Sequence, residues 1–310
     1  MSKTTIALCI SDVHLSDKPP RLRAGESDWI GVQLSYFDQL EKLWDRLNCP
    51  QILIAGDVFD KPSPSLQLVN RTSEKLKDLF PQGYVNTIYG NHDLPYHRLE
   101  NKHRCGLFTL AQTGAVNDLE QYGGKLHTTK AGKVWFQPFS WGKECCSPVT
   151  ETADYTVAVV HKYAWEKKSQ AYTGASDAGY ARKHGFGEVY DFVHYGDNHQ
   201  QWTHGDFMVN PGAFIRRTKV DQSMEPAIYG LCVEDGQLSV ERHPLDTEAD
   251  MYDELEILLT QVEFDTGLKS ALERVQGEVQ DVPTLVKSLL DDESSPSSQK
   301  ILAAIQESLE

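Results

Sequence analysis

Five short polar segments carry side chains of the kinds that bind divalent metal ions. Each of them alone is also typical of an ordinary turn, a helix cap or a buried histidine. Carboxylate, imidazole and amide donors without thiolates favour Mn²⁺, Fe or Zn²⁺ over softer metals. The candidate residues, in chain order, are Asp12 with His14, Asp57, Asn91 with His92, His161, and Asp197 with His199.

This mixture of donors is the one that a pair of divalent ions requires. Two ions about 3.5–4 Å apart need a carboxylate that bridges them, with imidazole and oxygen ligands around each ion. Asp57 is the natural bridge, and Asn91 offers a neutral oxygen that limits the negative charge of the site. Asp12 and His14 are alternate residues, which share one face of an extended segment, so we expect both to reach the same ion.

The elements that must position these side chains are buried strands. Each polar segment follows an apolar run rich in β-branched residues, the pattern of a buried strand. Two amphipathic helices alternate with the first three runs, the first of them with Asp28 as its N-cap. Strands that alternate with helices predict a largely parallel sheet, whose carboxyl ends collect the chemistry at one edge. The predicted strands before the five segments span 4–10, 51–55, 84–89, 155–160 and 189–194, and the helices span 29–47 and 64–80.

Later runs predict further strands, several of them antiparallel, at 125–129, 134–139, 207–209, 227–233 and 237–242.

The negative charge of the chain is unevenly placed. The net charge is −15, but residues 246–310 hold 16 acidic and 4 basic residues, whereas residues 1–245 hold 29 and 26. The nearly neutral body is therefore not excluded from nucleic-acid binding by the charge of the whole chain. We predict a catalytic domain over 1–245 and an acidic helical extension over 246–310, whose amphipathic helices would dock on a partner.

Composition also predicts a location. No apolar run approaches the ~20 residues that a membrane span needs, and the first residues show no signal-peptide pattern. The six cysteines form no CxxC pair, which favours reduced thiols in a cytoplasmic protein that does not bind a membrane.

The polar segments together resemble the ordered motifs of the calcineurin-like metallophosphoesterases, which read DxH, GD, GNHD, H and GHxH. The resemblance covers residues 4–245, and it implies an α/β fold (α+β by some schemes), a four-layer αββα double β-sandwich. The small helical C-terminal extension lies outside it. The matching segments are 11–14, 56–60, 90–93, His161 and 196–199.

The resemblance also implies a role for each residue. Asp12, His14, Asp57 and His199 would hold the first metal ion, and Asp57, Asn91, His161 and Asp197 the second. The family usually has histidine where this chain has Asp197, and the harder carboxylate should favour Mn²⁺ or Mg²⁺. If this alignment is shifted, His194 or His204 is the ligand instead.

His92 would be the proton donor to the leaving group or a phosphate stabiliser. Asp60 and Asp93 are candidates for orienting the imidazole rings of the metal ligands by contacting them on the side away from the metal, although both also fit ordinary turns or caps.

The segment after the last motif is similar to the SbcD-type DNA repair nucleases, which also have Pro-Gly followed by a basic strand. Basic loops fit a polynucleotide backbone, and aromatic loop residues can stack on bases, although exposed loops often carry such residues in any case. The candidate substrate-binding residues are Arg21, Arg98, Arg216 and Arg217, and the aromatic candidates are Tyr163, Trp165, Tyr172, Tyr180 and Trp202.

The sequence thus predicts a dinuclear phosphodiesterase, a Mn²⁺-dependent DNA exonuclease or endonuclease of the repair type, with Mg²⁺, Fe or Zn²⁺ as other possible metals. The resemblance implies an SbcC-type coiled-coil ATPase as partner, and a homodimer. Two alternatives stay open: a phosphatase or phosphodiesterase acting on a small molecule or phosphoprotein, and a non-catalytic scaffold, for which Asp197 is the hint.

Overall fold

The computed structural model describes residues 3–48, 51–148, 152–172, 174–222, 224–248 and 250–252. The chain divides into two units, one made of residues 1–18 and 28–249, the other of residues 19–27 and 250–310. The catalytic domain and the extension that the sequence suggests stay a prediction, and the helices expected beyond residue 252 lie outside the described residues.

The strands of the described residues form two mixed sheets. They are β1 (Thr4–Ile10), β2 (Ile52–Ile54), β3 (Val85–Thr87), β4 (Asn117–Asp118), β5 (Lys125–Thr129), β6 (Gly132–Phe139), β7 (Tyr155–His161), β8 (Phe192–Gly196), β9 (Trp202–His204), β10 (Met208–Asn210), β11 (Ala227–Glu234) and β12 (Gln237–Pro244). The first sheet has the order β12-β11-β1-β2-β3-β4, and the second β5-β6-β7-β8-β10-β9. Strands β1 to β4 are parallel, as are β6, β7, β8 and β10.

Helices of very different lengths connect the strands. They are α1 (Trp29–Leu47), α2 (Leu66–Leu79), α3 (Gly106–Gln112) and the one-turn helices α4 (Leu119–Tyr122), α5 (Phe186–Val189) and α6 (Lys219–Gln222). Helix α1 has the predicted bounds. It begins after Asp28, whose side chain accepts a hydrogen bond from the Gly31 amide, and it ends at Asn48 in the left-handed conformation.

Three apolar clusters separate the layers. Phe37 and Leu40 of α1 pack with Ile54 over one face of the first sheet. Leu53 and Val157 belong to a second cluster, which joins residues of the two sheets. A third cluster covers the other face of the second sheet with residues that include those of α5. Strands buried on both faces tend to have continuous apolar sequences, as in Ile52–Ile54 of β2, whereas β3 also contains the buried polar residues Asn86 and Thr87. The predicted double sheet with helices is confirmed.

One strand prediction needs a correction. Residues 189–191 are not part of a strand, because α5 ends at Val189 and β8 begins only at Phe192. The carboxylate of Asp191 accepts hydrogen bonds from the amide and hydroxyl of Thr156 instead. The short strands β4 and β9 were not predicted, because neither lies in an apolar run of the kind that marks the equally short β2.

The parallel strands bring their carboxyl ends together at one edge. The ring of His161, at the end of β7, bonds with the carbonyl of Ala55, just after β2. The amide of Asp12, just after β1, donates to the carbonyl of Gly56. The loops that follow the strands of the two sheets therefore lie next to one another. Among the described residues, no helix has the length and apolar character that crossing a membrane requires.

Candidate metal centre

The loop after β1 presents Asp12 and His14 in an unusual backbone conformation. Both residues have a φ of 49°, which lies in the left-handed region that residues other than glycine rarely adopt. The expectation of an extended segment is therefore wrong. The physical reason is that the loop is held by its neighbours, since the amide of His14 donates to the carbonyl of Asp57. Strain of this kind collects at functional sites.

Asp57 lies at the centre of the site. Its Oδ2 is 3.6 Å from Nε2 of His14 and 3.4 Å from Nε2 of His161. Its Oδ1 accepts a hydrogen bond of 2.9 Å from the amide of His92. One carboxylate thus faces an imidazole on either side, as the bridging position requires.

Glycines allow the loops to approach this carboxylate closely. A Cβ at Gly90 would stand 2.0 Å from Oδ1 of Asp57, and one at Gly56 would stand 2.4 Å from Nδ1 of His161. Only a residue without a side chain fits at these positions. The glycines that precede Asp57 and Asn91 in sequence are therefore part of the construction of the site.

His161 is oriented by the first sheet. Its Nδ1 bonds with the carbonyl of Ala55 at 2.7 Å, so this nitrogen carries a proton. Its Nε2 faces Oδ1 of Asn91 at 2.9 Å. A metal-binding histidine usually has this arrangement: one ring nitrogen is hydrogen-bonded to a carbonyl, and the other points toward the ligand oxygens.

His199 closes the other side of the site. Its Nε2 lies 3.0 Å from Nε2 of His14. Asp12, His14 and His199 bring potential ligand atoms within 4.8 Å of one another, and so do Asp12, Asp57 and His161. The structure therefore brings five of the predicted ligands into two adjoining groups that share Asp12, the first with His14 and His199 and the second with Asp57 and His161. A third group of this kind combines His14 with Asp60 and His92.

Asp197 is placed less tightly than the other candidates. Its amide donates to both carboxylate oxygens of Asp12, at 3.0 and 3.2 Å. Its own Oδ1 is 3.9 Å from Nε2 of His161, so the carboxylate lies beside the second group. Its φ of 84° is again in the left-handed region.

The two histidines considered as replacements for Asp197 point elsewhere. His194 is buried within β8, and burial lowers its pKa to about 3. Nδ1 of His204 is 2.9 Å from the carboxylate of Glu166, and its ring contacts Phe207. Neither belongs to the groups of potential ligands found in the described part of the chain.

His92 is the exposed member of the site. Its Nδ1 bonds with the carbonyl of Asp60 at 2.9 Å, and its ring packs edge-on against His14 with centroids 4.7 Å apart. Because Nδ1 is used on the carbonyl, Nε2 is the nitrogen that can exchange a proton with a substrate.

Asp60 and Asp93 support the site in different ways. Oδ1 of Asp60 is 3.7 Å from Nδ1 of His14 and 2.7 Å from Nη1 of Arg217. The buried carboxylate of Asp93 accepts from the amides of Val58, Phe59 and Gly90. Asp93 therefore ties two backbone loops together, and burial raises its pKa to about 7.

The four candidate substrate arginines have separate surroundings. Arg217 forms the ion pair with Asp60. Arg216 donates to the carbonyls of Gln222 and Thr247, so it supports the backbone. Arg98 is exposed in the segment that follows His92. Arg21 is exposed in the second unit.

Two residues near the site carry no sequence motif. The indole of Trp141 has its ring centroid 6.3 Å from that of His161. Nδ1 of His97 bonds with the carbonyl of Asn91 at 2.9 Å. No sequence pattern predicted that Trp141 or His97 would lie near the site. His97 does follow the GNHD motif by four residues, in a loop that was expected at the site.

Burial and charge oppose each other in the centre. Burial alone would raise the pKa of Asp57, but the rings of His161 and His14 hold it well below its usual range. Burial alone would lower the pKa of His161, but Asp57 raises it well above the usual value. Burial raises the pKa of Asp12 to about 6. A proton and a cation therefore compete for the same nitrogen of His161.

Comparison with known proteins identifies the family. The family model described as calcineurin-like phosphoesterase matches residues 7–201. The chain belongs to this family. No curated protein matches the chain. Among solved structures, the calcineurin-like phosphoesterase YfkN from Bacillus subtilis is similar, with 11% identity and a TM-score of 0.46 over 81% of this chain and 93% of that chain.

The residues of this calcineurin-like phosphoesterase fit the two divalent ions that are typical of its family. Two nitrogens bound to one ion at about 2.1 Å lie about 3.0–3.4 Å apart, and the Nε2 atoms of His14 and His199 are 3.0 Å apart. Nδ1 of His14 has no hydrogen-bond partner among the described residues, although Oδ1 of Asp60 lies 3.7 Å from it. Packing, this carboxylate and the contacts at Nε2 therefore position the ring. Two ions held here would activate a water and stabilise the charge that develops on phosphate oxygens.

Proposed function

We propose that the chain is a Mn²⁺-dependent DNA exonuclease or endonuclease of the repair type, which hydrolyses phosphodiesters at the centre around Asp57. The family supplies the coarser function, a metal-dependent phosphoester hydrolase. The finer proposal concerns the substrate and the metal.

The openness of the reacting edge is the observation that carries this proposal. The ligand candidates Asp12, Asp57 and His161 are buried, whereas His92 is exposed. Tyr96, four residues after His92, is 76% exposed. Sites for small molecules are usually concave and enclose most of the ligand, whereas an open edge with exposed aromatic and basic groups admits a polymer.

The side chains of this site have defined tasks in phosphodiester hydrolysis. The carbonyl of Asp60 fixes Nδ1 of His92, so Nε2 of this exposed residue is the nitrogen that can give a proton to the leaving oxygen. Arg217 holds the side chain of Asp60 and so fixes the segment that carries this carbonyl. The exposed Arg98 is available for a phosphate of the backbone.

The preference for manganese rests on the oxygen donor at position 197. A carboxylate in place of histidine makes the second ligand group richer in oxygen, which favours Mn²⁺ or Mg²⁺ over Zn²⁺. An SbcC-type ATPase partner, a homodimer and a cytoplasmic location complete the proposal. The acidic segment 246–310 supports the partner. The absence of a CxxC pair among the six cysteines of the sequence supports the location.

The test compares three substrates in the presence of Mn²⁺: linear duplex DNA, single-stranded DNA and bis-p-nitrophenyl phosphate. We expect DNA to be degraded, and we expect His92→Ala to abolish most of this activity. His127→Ala is the matched control, because His127 lies on β5 at the edge of the second sheet. Cleavage of the small ester alone would assign the chain to the small-molecule phosphodiesterases, and inactivity on all three would favour a scaffold.

A further inference from the structure

The structure separates the aromatic residues of the loop after β7. Trp165 and Trp202 are 2% and 4% exposed, so their rings belong to the core. Tyr163 and Tyr172 form a ring pair with centroids 5.4 Å apart and an angle of 48° between the planes. Tyr172 is 64% exposed. This tyrosine pair therefore offers an aromatic surface to solvent.

The tyrosine pair lies next to the candidate metal centre. Tyr163 is two residues after His161, a separation of at most about 7 Å along the backbone. The side chain of Asn198 donates to the carbonyl of Ala164 at 2.7 Å. Asn198 stands between Asp197 and His199, so the loop is joined directly to the segment that carries these two residues.

Hydrogen bonds hold the tyrosine pair in place before any ligand arrives. The amide of Tyr172 donates to the hydroxyl of Tyr163 at 3.1 Å. The indole of Trp202 and the side chain of Asn198 both donate to the carbonyl of Ala164. Asn198 also donates to the carbonyl of Gln170 at 3.1 Å. A surface fixed in this way loses little freedom when it binds a ligand.

We propose that the Tyr163–Tyr172 pair is a stacking platform for one unpaired nucleobase of the DNA strand that is cut. This inference rests on the proposed nuclease function and adds a strand preference to it. An exposed tyrosine face stacks on any base, because every base has a π-face. Within a duplex both faces of each base are covered by neighbouring bases, so the platform accepts a base only from a single strand or from a frayed end.

The first experiment measures binding without cleavage. Fluorescence anisotropy in EDTA gives the Kd of a single-stranded oligonucleotide for the wild-type protein, Tyr172→Ala and Tyr172→Phe. We expect Tyr172→Ala to raise the Kd roughly 5- to 150-fold, the range typical of losing one base–aromatic stack. Tyr172→Phe keeps the ring and should bind like the wild type. Circular dichroism checks that each variant is folded.

The second experiment shows whether the tyrosine touches a base. A set of oligonucleotides carries one abasic residue at each position in turn. For the wild-type protein, an abasic residue at one position should raise the Kd as much as Tyr172→Ala does, and the two changes together should add nothing further. 2-Aminopurine at that position should be quenched by the wild-type protein and by Tyr172→Phe, but not by Tyr172→Ala.

The outcomes distinguish the inference from the proposed function. If DNA is cleaved but Tyr172→Ala binds single strands like the wild type, or if the two changes are additive at every position, the platform is refuted and the nuclease stands. If the small ester is hydrolysed and no DNA is bound or cut, the nuclease proposal fails and the platform fails with it. Equal effects on duplex and single-stranded binding would also refute the preference for an unpaired base.

Discussion

Nη1 of Arg217 lies 2.7 Å from Oδ1 of Asp60, and the carbonyl of Asp60 bonds with Nδ1 of His92 at 2.9 Å. The sequence analysis named Arg217 as a candidate substrate ligand. In the structure it forms an ion pair with Asp60 instead, and the backbone of Asp60 contacts the candidate proton donor His92. The pair is 157 residues apart in the chain, so only the fold brings it together. We therefore expect Arg217 to act by positioning His92.

Removal of Arg217 should slow the chemical step more than it weakens substrate binding. We expect Arg217→Ala to lower kcat about 10- to 100-fold, because displacement of a catalytic group by about 1 Å costs this much, while KM changes little. Arg217→Lys should recover part of the loss. Arg71→Ala removes a comparable ion pair, that with Asp28, and is the control. A rise in KM at constant kcat would instead make Arg217 a substrate ligand.

Asp57→Asn should abolish the binding of two ions. The amide keeps the shape of the side chain but lacks the charge that faces His14 and His161. Isothermal titration with Mn²⁺ should show the wild-type stoichiometry of two fall to one or less. Mn²⁺ at 100 times its Kd should stabilise the wild-type fold by about 2.7 kcal/mol for each ion bound, and Asp57→Asn should lose the contribution of at least one ion. Unchanged stoichiometry would contradict a bridging role.

Asp197→Ala should weaken one Mn²⁺ site and leave the other intact. Because the carboxylate lies 3.9 Å from Nε2 of His161, its loss should affect the group that contains His161 and spare that of His14 and His199. We expect the weaker Kd to rise about 10-fold or more, a typical effect of losing a ligand or its support. Asp197→His should shift the preference from Mn²⁺ toward Zn²⁺. If both sites of Asp197→Ala bind Mn²⁺ as before, Asp197 is not a ligand.

His194 should make the fold sensitive to acid. Burial lowers its pKa to about 3 in the folded state, whereas in the unfolded chain it is about 6.5. The unfolded state therefore binds an extra proton between these values, so stability from this group is complete above pH 6.5 and falls as the pH decreases. The loss is about 1.4 kcal/mol per pH unit, or about 2 kcal/mol at pH 5.

The measurement for His194 is urea unfolding in EDTA at pH 7 and pH 5. His194→Gln lacks the titrating ring, so its loss of stability between the two pH values should be smaller than that of the wild type by about 2 kcal/mol. Equal losses in the two proteins would show that His194 does not titrate on unfolding in this range.

Local patterns in the sequence were enough to predict α1, the main strands and the order of the candidate ligands. Helix α1 has the predicted bounds because its N-cap at Asp28 and its apolar spacing are local signals. The strands before the polar segments could be predicted from runs of apolar and β-branched residues, although β3 also contains the buried polar residues Asn86 and Thr87. The GD and GNHD segments could be placed at strand ends for the same reason.

The way these side chains meet depends on contacts between segments that are distant in the chain. The left-handed backbone of Asp12 and His14, the contacts of Asp93 with amides of another loop and the ion pair of Arg217 with Asp60 all depend on partners distant in the chain. Local periodicity predicts which face of a helix or strand is buried. It does not predict which loop from elsewhere in the chain will contact that element. The types of the candidate ligands could therefore be predicted from the sequence, whereas their geometry depends on how the two sheets pack.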